Sequence, residues 1–139
     1  MKQLMIIMAA LLLATTSFAQ VKWEEGTLAQ ALTKAKESGE KLVFLDCYAT
    51  WCGPCKYMAN TVFTTKEAGE YFNKKFVNIK IDMEKGEGIN LARQFRIKGY
   101  PTFIILNSNG KELGRIVGGA EIKQFIQKVE GVLKTQEIK

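Results

Sequence analysis

A mixed α/β sheet with helices on both faces is the fold this sequence predicts, on three observations. Helical and strand-like stretches alternate over residues 27–95; an apolar run of strand length without polar alternation lies at 41–49; and the chain closes with a hairpin signal and an amphipathic helix. Thr27, with Gln30 three positions on, makes a capping box, and Leu28, Ala31, Leu32 and Ala35 then recur at helical spacing until Ser38-Gly39. A first helix is expected over 27–38. Residues 41–49, rich in Leu, Val, Phe and Tyr, read as a strand covered on both faces. A helix should follow from Gly53-Pro54 to about Asn60, with proline in the first turn where no N–H is needed. Residues 65–74 form a further helical piece with Ala68, Tyr71 and Phe72 on one side.

Residues 76–82 alternate apolar and polar and predict a strand, followed by a glycine-containing loop at 83–88 and a short helix over 89–95. A strand introduced by Tyr100-Pro101-Thr102 runs through Leu106, Asn107-Ser108-Asn109-Gly110 reads as a turn, and 111–117 returns as the antiparallel partner. In the last helix Ile122, Phe125, Ile126, Val129, Val132 and Leu133 share one face.

The N-terminus reads differently. Lys2 precedes an apolar run over 4–13, and Ser17 and Ala19 place small side chains where a signal peptidase reads, so residues 1–19 are expected to be a cleaved signal peptide and 20–139 a single domain. The run is short against the roughly 20 residues that span a bilayer, and no cysteine near the cleavage point offers a lipid anchor. A periplasmic or secreted location follows. The chain carries 20 basic and 14 acidic side chains, a formal net charge of +6, but the signs are interleaved, which describes a solvated surface and excludes a nucleic-acid stripe. Histidine is absent, so any proton transfer or metal binding runs on other groups.

Trp51-Cys52-Gly53-Pro54-Cys55-Lys56 carries the chemistry. Two thiols three positions apart at a helix start can close a small disulfide ring, and the first sits where unpaired backbone N–H groups and the helix dipole favour the nucleophilic thiolate. A structural zinc site needs four ligands; beyond this pair the chain offers Cys47, no histidine and scattered carboxylates, so no metal is expected. Asp46 interrupts an otherwise apolar strand, where a buried carboxylate is costly unless protonated, solvated or paired. Cys47, pointing to the opposite face of that strand, reads as a small buried hydrophobe.

Three segments, 46–56 around the cysteines, Gly99-Tyr100-Pro101-Thr102 and Val117-Gly118-Gly119, resemble the signature segments of thioredoxins in the right order. Residues 61–67 and the 82–86 loop are more similar to exported thioredoxin-like proteins and to the periplasmic C-terminal domain of the transmembrane disulfide reductase. The resemblance implies a thioredoxin fold and a protein-disulfide reductase that uses no cofactor beyond a redox-active Cys52–Cys55 disulfide. Cys52 would be the attacking, partly exposed thiolate, Cys55 the resolving thiol and Asp46 the base that takes the Cys55 proton. Gly53-Pro54 is the dipeptide of the reducing members. Pro101 would be a cis-proline facing the cysteines. Tyr100, Pro101, Val117 and Gly118, with Gly53 and Pro54, would seat an extended substrate segment, beside Trp51 as an exposed lid. The lysine that the family often places near the aspartate is matched by Asn78, with Lys80 two residues on. The partners implied are protein disulfides and a membrane thiol donor that keeps the dithiol reduced in an oxidising compartment, the chain itself acting as a monomer. Two other functions fit the same segments: a client-binding adaptor with a structural disulfide, and an oxidase or isomerase of protein disulfides.

Overall fold

The computed structural model describes residues 19–138. The signal peptide expected over 1–19 lies, Ala19 apart, outside the described residues. Five strands, β1 (Trp23–Glu24), β2 (Leu42–Tyr48), β3 (Phe76–Asp82), β4 (Thr102–Leu106) and β5 (Glu112–Val117), form one sheet in the order β1-β3-β2-β4-β5. The helices are α1 (Leu28–Glu37), α2 (Gly53–Tyr57), α3 (Lys66–Lys75), α4 (Gly88–Gln94) and α5 (Ile122–Glu137), and α2 continues into a π-helical turn, Met58–Val62. β1, β3 and β2 run parallel, and β4 and β5 are antiparallel to their neighbours.

The helix ends follow local chemistry. Thr27 Oγ1 accepts from Gln30 N–H while Gln30 Oε1 accepts from Thr27 N–H, so the expected capping box forms. Thr65 Oγ1 caps α3 by accepting from Ala68 N–H. Each satisfies donors a helix start leaves unpaired.

β2 lies at the centre, and its alternating side chains divide the core in two. Val43, Leu45 and Cys47 meet α1, α4 and the apolar residues of β3 on one face. On the other, Phe44 is enclosed by Phe63, Phe72, Phe76, Phe103 and Phe125, with centroids 4.7–6.2 Å away. Rings packed edge-on and offset at these distances add specific geometry to the burial itself.

Two expectations change. β1 has only two residues, too few to show a period, and was not expected; Trp23 on it packs edge-on against Phe63 at 5.2 Å. The polar alternation expected of β3 is incomplete, since Asn78 is buried and Lys80 alone is exposed. β1 pairs with β3 at Asn78, and α3 packs over the residue, whose Nδ2 donates to Phe72 O at 3.3 Å.

Gly88 opens α4 in a close approach to the end of β3, where a Cβ would stand 1.8 Å from Asp82 O. Exposed Gly131 in α5 has open space around it. Gly88→Ala should therefore cost about 2–3 kcal/mol in chemical denaturation, whereas Gly131→Ala should gain up to about 1 kcal/mol through helix propensity.

Candidate active site

β2 delivers its C-terminal end, Tyr48, to a short turn that places Cys52 as the N-cap of α2. Cys52 N–H donates to Ala49 O at 3.2 Å, and Cys52 Sγ accepts from Cys55 N–H at 3.2 Å. The sulfur thus occupies the capping position that polar oxygens usually take, one that favours negative charge. Cys52 and Cys55 are joined by a disulfide with Cα atoms 5.3 Å apart. Pro54 lies in the first turn of α2, where its missing N–H costs nothing.

The relative exposure of the two cysteines corrects an expectation. Cys52 is 2% exposed and Cys55 7%, so Cys52 is not the more open member in the disulfide form. Ala49, Tyr48 and Tyr100 pack around the pair. Trp51 is 66% exposed; its indole N–H donates to Glu84 Oε1 at 2.7 Å and its ring meets Tyr100 edge-on at 5.8 Å. Glu84 was missed as a site residue. Its loop was noticed in the sequence, but only the turn made by Met83 N–H to Tyr48 O and Glu84 N–H to Asp82 Oδ1 brings its carboxylate to Trp51.

The segment before β4 lies alongside. The Tyr100–Pro101 peptide is cis, and Pro101 O accepts from Gly118 N–H at 2.9 Å. Gly118 takes φ +86°, and a Cβ on Gly119 would meet Met58 Sδ at 2.9 Å. Both glycines therefore let the turn after β5 close onto the α2 side. Val117 is 65% exposed. Three segments distant in sequence thus meet. Gly53 and Pro54 lie between the cysteines, and Tyr100 packs against the cysteine pair and Trp51. Pro101 is hydrogen-bonded to Gly118, which follows Val117, and Gly119 approaches Pro54 O.

Asp46 lies beneath it. The residue is 4% exposed, lines a cavity of about 170 Å³ with Thr50, Cys55, Lys56 and Lys80, and its Oδ1 has no hydrogen-bond partner among the described residues. Burial pushes the carboxyl up to about 7 against the opposing pull of Lys80. The strand register corrects the sequence match: Lys80 stands opposite Asp46, whereas Asn78 stands opposite Phe44. Lys80 makes no ion pair with the carboxyl; its Nζ lies 5.7 Å over the Tyr48 ring and 5.9 Å over Trp23. Cys47, fully buried on the other face, has its thiol pushed far up by burial and by the Asp46 charge, and so stays protonated and inert.

Comparison with known proteins agrees with this geometry. The family model described as a thioredoxin-like domain matches residues 28–133. The chain belongs to the thioredoxin-like family. It is 42% identical over 98 residues to thioredoxin Y, chloroplastic, of Oryza sativa subsp. japonica, covering 70% of this chain but only 55% of that protein. It is 35% identical over 111 residues to thioredoxin of Echinococcus granulosus, covering 78% of this chain and 94% of the relative. Among solved structures, a Bacteroides thetaiotaomicron protein named as a disulphide-isomerase matches with TM-score 0.73 and 39% identity, covering 84% of this chain and 95% of that one. Within this thioredoxin-like domain the sheet order, the disulfide and the buried aspartate form one unit.

The buried carboxyl links the site to stability. A folded carboxyl raised from 3.8 to about 7 binds a proton that the unfolded chain releases, so its contribution is complete below pH 4 and is lost as the pH climbs through 7. Asp46→Asn should leave stability nearly unchanged at pH 4 and raise it by about 2–4 kcal/mol at pH 8, measured by denaturation at both pH values.

Proposed function

We propose that this chain is a thiol–disulfide oxidoreductase that reduces protein disulfides outside the cytoplasm by cycling Cys52–Cys55 between dithiol and disulfide. The observation that carries the proposal is the disulfide at the N-cap of α2 directly above a buried carboxyl raised to about 7. A thiolate at Cys52 is stabilised by the Cys55 N–H and the start of the helix. It attacks one sulfur of the substrate disulfide; a mixed disulfide forms and the other substrate sulfur leaves as a thiolate. Cys55 then gives its proton to Asp46, and its thiolate attacks Cys52 Sγ. The mixed disulfide breaks, the second substrate thiolate leaves, and two electrons have passed from the dithiol to the substrate. A carboxyl near neutral pKa can accept that proton at neutral pH and return it through the cavity.

Because Cys52 is buried in the oxidised form and Tyr100 packs against the cysteine pair, the Tyr100 side chain, with Trp51 edge-on against it, must shift for a reacting thiol to reach the sulfur. Trp51, exposed and held by one side-chain hydrogen bond, is suited to such a shift. An extended substrate segment then lies along Tyr100-Pro101 and Val117-Gly118, over Gly53-Pro54. Pro101 O already takes the Gly118 N–H, so neither of these two groups is open to pair with the segment.

Each turnover leaves a disulfide, so a reductant must restore the dithiol; in an oxidising compartment a membrane thiol donor fills that role. The chain acts as a monomer, residues 1–19 being a cleaved leader and 20–139 the catalytic domain. Disulfide isomerisation is the second reading, favoured by the name of the Bacteroides thetaiotaomicron relative.

Cys52→Ser should abolish insulin reduction, while Cys55→Ser should accumulate a mixed disulfide visible on a non-reducing gel; full activity of Cys52→Ser would contradict the mechanism. Recovery of disulfide-scrambled ribonuclease without net reductant would move the assignment to isomerisation. N-terminal sequencing of the protein from its native cell should begin at Gln20; a retained Met1 would contradict export by cleavage.

A further inference from the structure

Beside the substrate seat lies an open groove of about 580 Å³ between the C-terminal end of α4 and the start of β4 with β5. Gly99, Thr102 and Val117 belong to its lining, so the groove continues directly from Tyr100-Pro101 and Gly118. Three cations, Arg96, Lys98 and Arg115, face one carboxylate, Glu112. The Glu112 charge is already taken: Arg115 donates to both its oxygens and, through Nη2, to Phe95 O at 2.8 Å, which also covers the exposed end of α4. Arg96 and Lys98 are exposed and have no ion pair among the described residues, leaving two uncompensated positive charges beside the seat.

The backbone adds a second observation. α4 ends with Phe95 as C-cap, and the next residue, Arg96, has φ +52°. Glycine usually fills this left-handed position because a Cβ makes it costly. Arg96 takes this backbone conformation at the point where it lines the groove, exposed to solvent.

We propose that this groove is a specificity determinant, taking the acidic side chains of an extended protein segment whose disulfide is presented to Cys52. Arg96 and Lys98 receive Asp or Glu residues flanking the substrate cysteine, Arg115 holds the groove's shape through Glu112 and Phe95 O, and Val117 marks where the segment passes from the seat to the groove. Exposed charge pairs are individually weak, so the preference is modest in affinity and appears mainly in association rate and its dependence on salt.

The inference rests on the oxidoreductase reading, and the experiment separates the two. Three synthetic peptides with one internal disulfide, differing only in two residues after the second cysteine (Glu-Glu, Ser-Ser or Lys-Lys), are reduced by the wild type and by Arg96→Gly/Lys98→Gln. At low ionic strength the wild-type ratio of kcat/KM for the Glu to the Ser peptide should be roughly three to ten, with the Lys peptide slowest, and should approach one at high salt. In the double variant the ratio should fall to about one, with a thermal midpoint no lower than the wild type because glycine suits the left-handed backbone. A wild-type ratio near one, or a ratio that survives in the folded double variant, would overturn the groove assignment while leaving the oxidoreductase intact. Failure of the wild type to reduce any of the three would overturn both.

Discussion

A carboxyl held in an apolar interior is the constraint around which this molecule is organised. Asp46 sits on the central strand, flanked along the chain by residues that fill two separate cores, and the fold gives its Oδ1 no partner among the described residues. Burying an unpaired carboxylate costs several kcal/mol, so the protein keeps the group protonated up to neutral pH instead. That cost is also its use: a carboxyl that changes protonation near pH 7, in a cavity shared with Cys55, can take and return a proton during thiol exchange. Lys80 lowers the penalty without removing it, because its ammonium rests over aromatic rings and not against the carboxyl.

The rest of the architecture holds the sulfur chemistry over that carboxyl. Seven continuous parallel pairs between β2 and β3 fix Asp46 opposite Lys80 and bring the end of β3 beside the end of β2, where the turn to α2 leaves. The turn after β3 then sends Glu84 to Trp51, and Gly88 permits α4 to start hard against the same turn. On the other side, antiparallel β4 and β5 bring Pro101 and Gly118 together next to the disulfide. The aromatic cluster around Phe44, two residues before Asp46 on β2, packs these strands together next to the site.

Much of this was legible in the sequence. The capping box at Thr27, the unalternating run of β2, the proline after Cys52 and the apolar face of the last helix each act over a few residues, so local chemistry alone revealed them. The gathering of the three signature segments was legible through their resemblance to thioredoxins. What escaped depends on distant partners. β1 is too short to carry a period and exists because β3 offers it an edge. The pairing of Asp46 with Lys80 and not Asn78 is a matter of register, which a residue count along one strand does not supply. The Glu84 contact depends on how a loop folds, and the low exposure of Cys52 on how Tyr48 and Tyr100 pack around it. The groove beside Val117 combines residues from α4, β4 and β5 that share no sequence motif.

The claim that a buried, near-neutral carboxyl lies under the disulfide is most directly tested by titrating Asp46 itself. Carboxyl-carbon NMR of the oxidised protein, with Asp46→Asn used to assign the resonance, reports its protonation across pH. The account predicts a midpoint near 7, well separated from the exposed carboxylates. A midpoint near 4, in the ordinary range for aspartate, would contradict it.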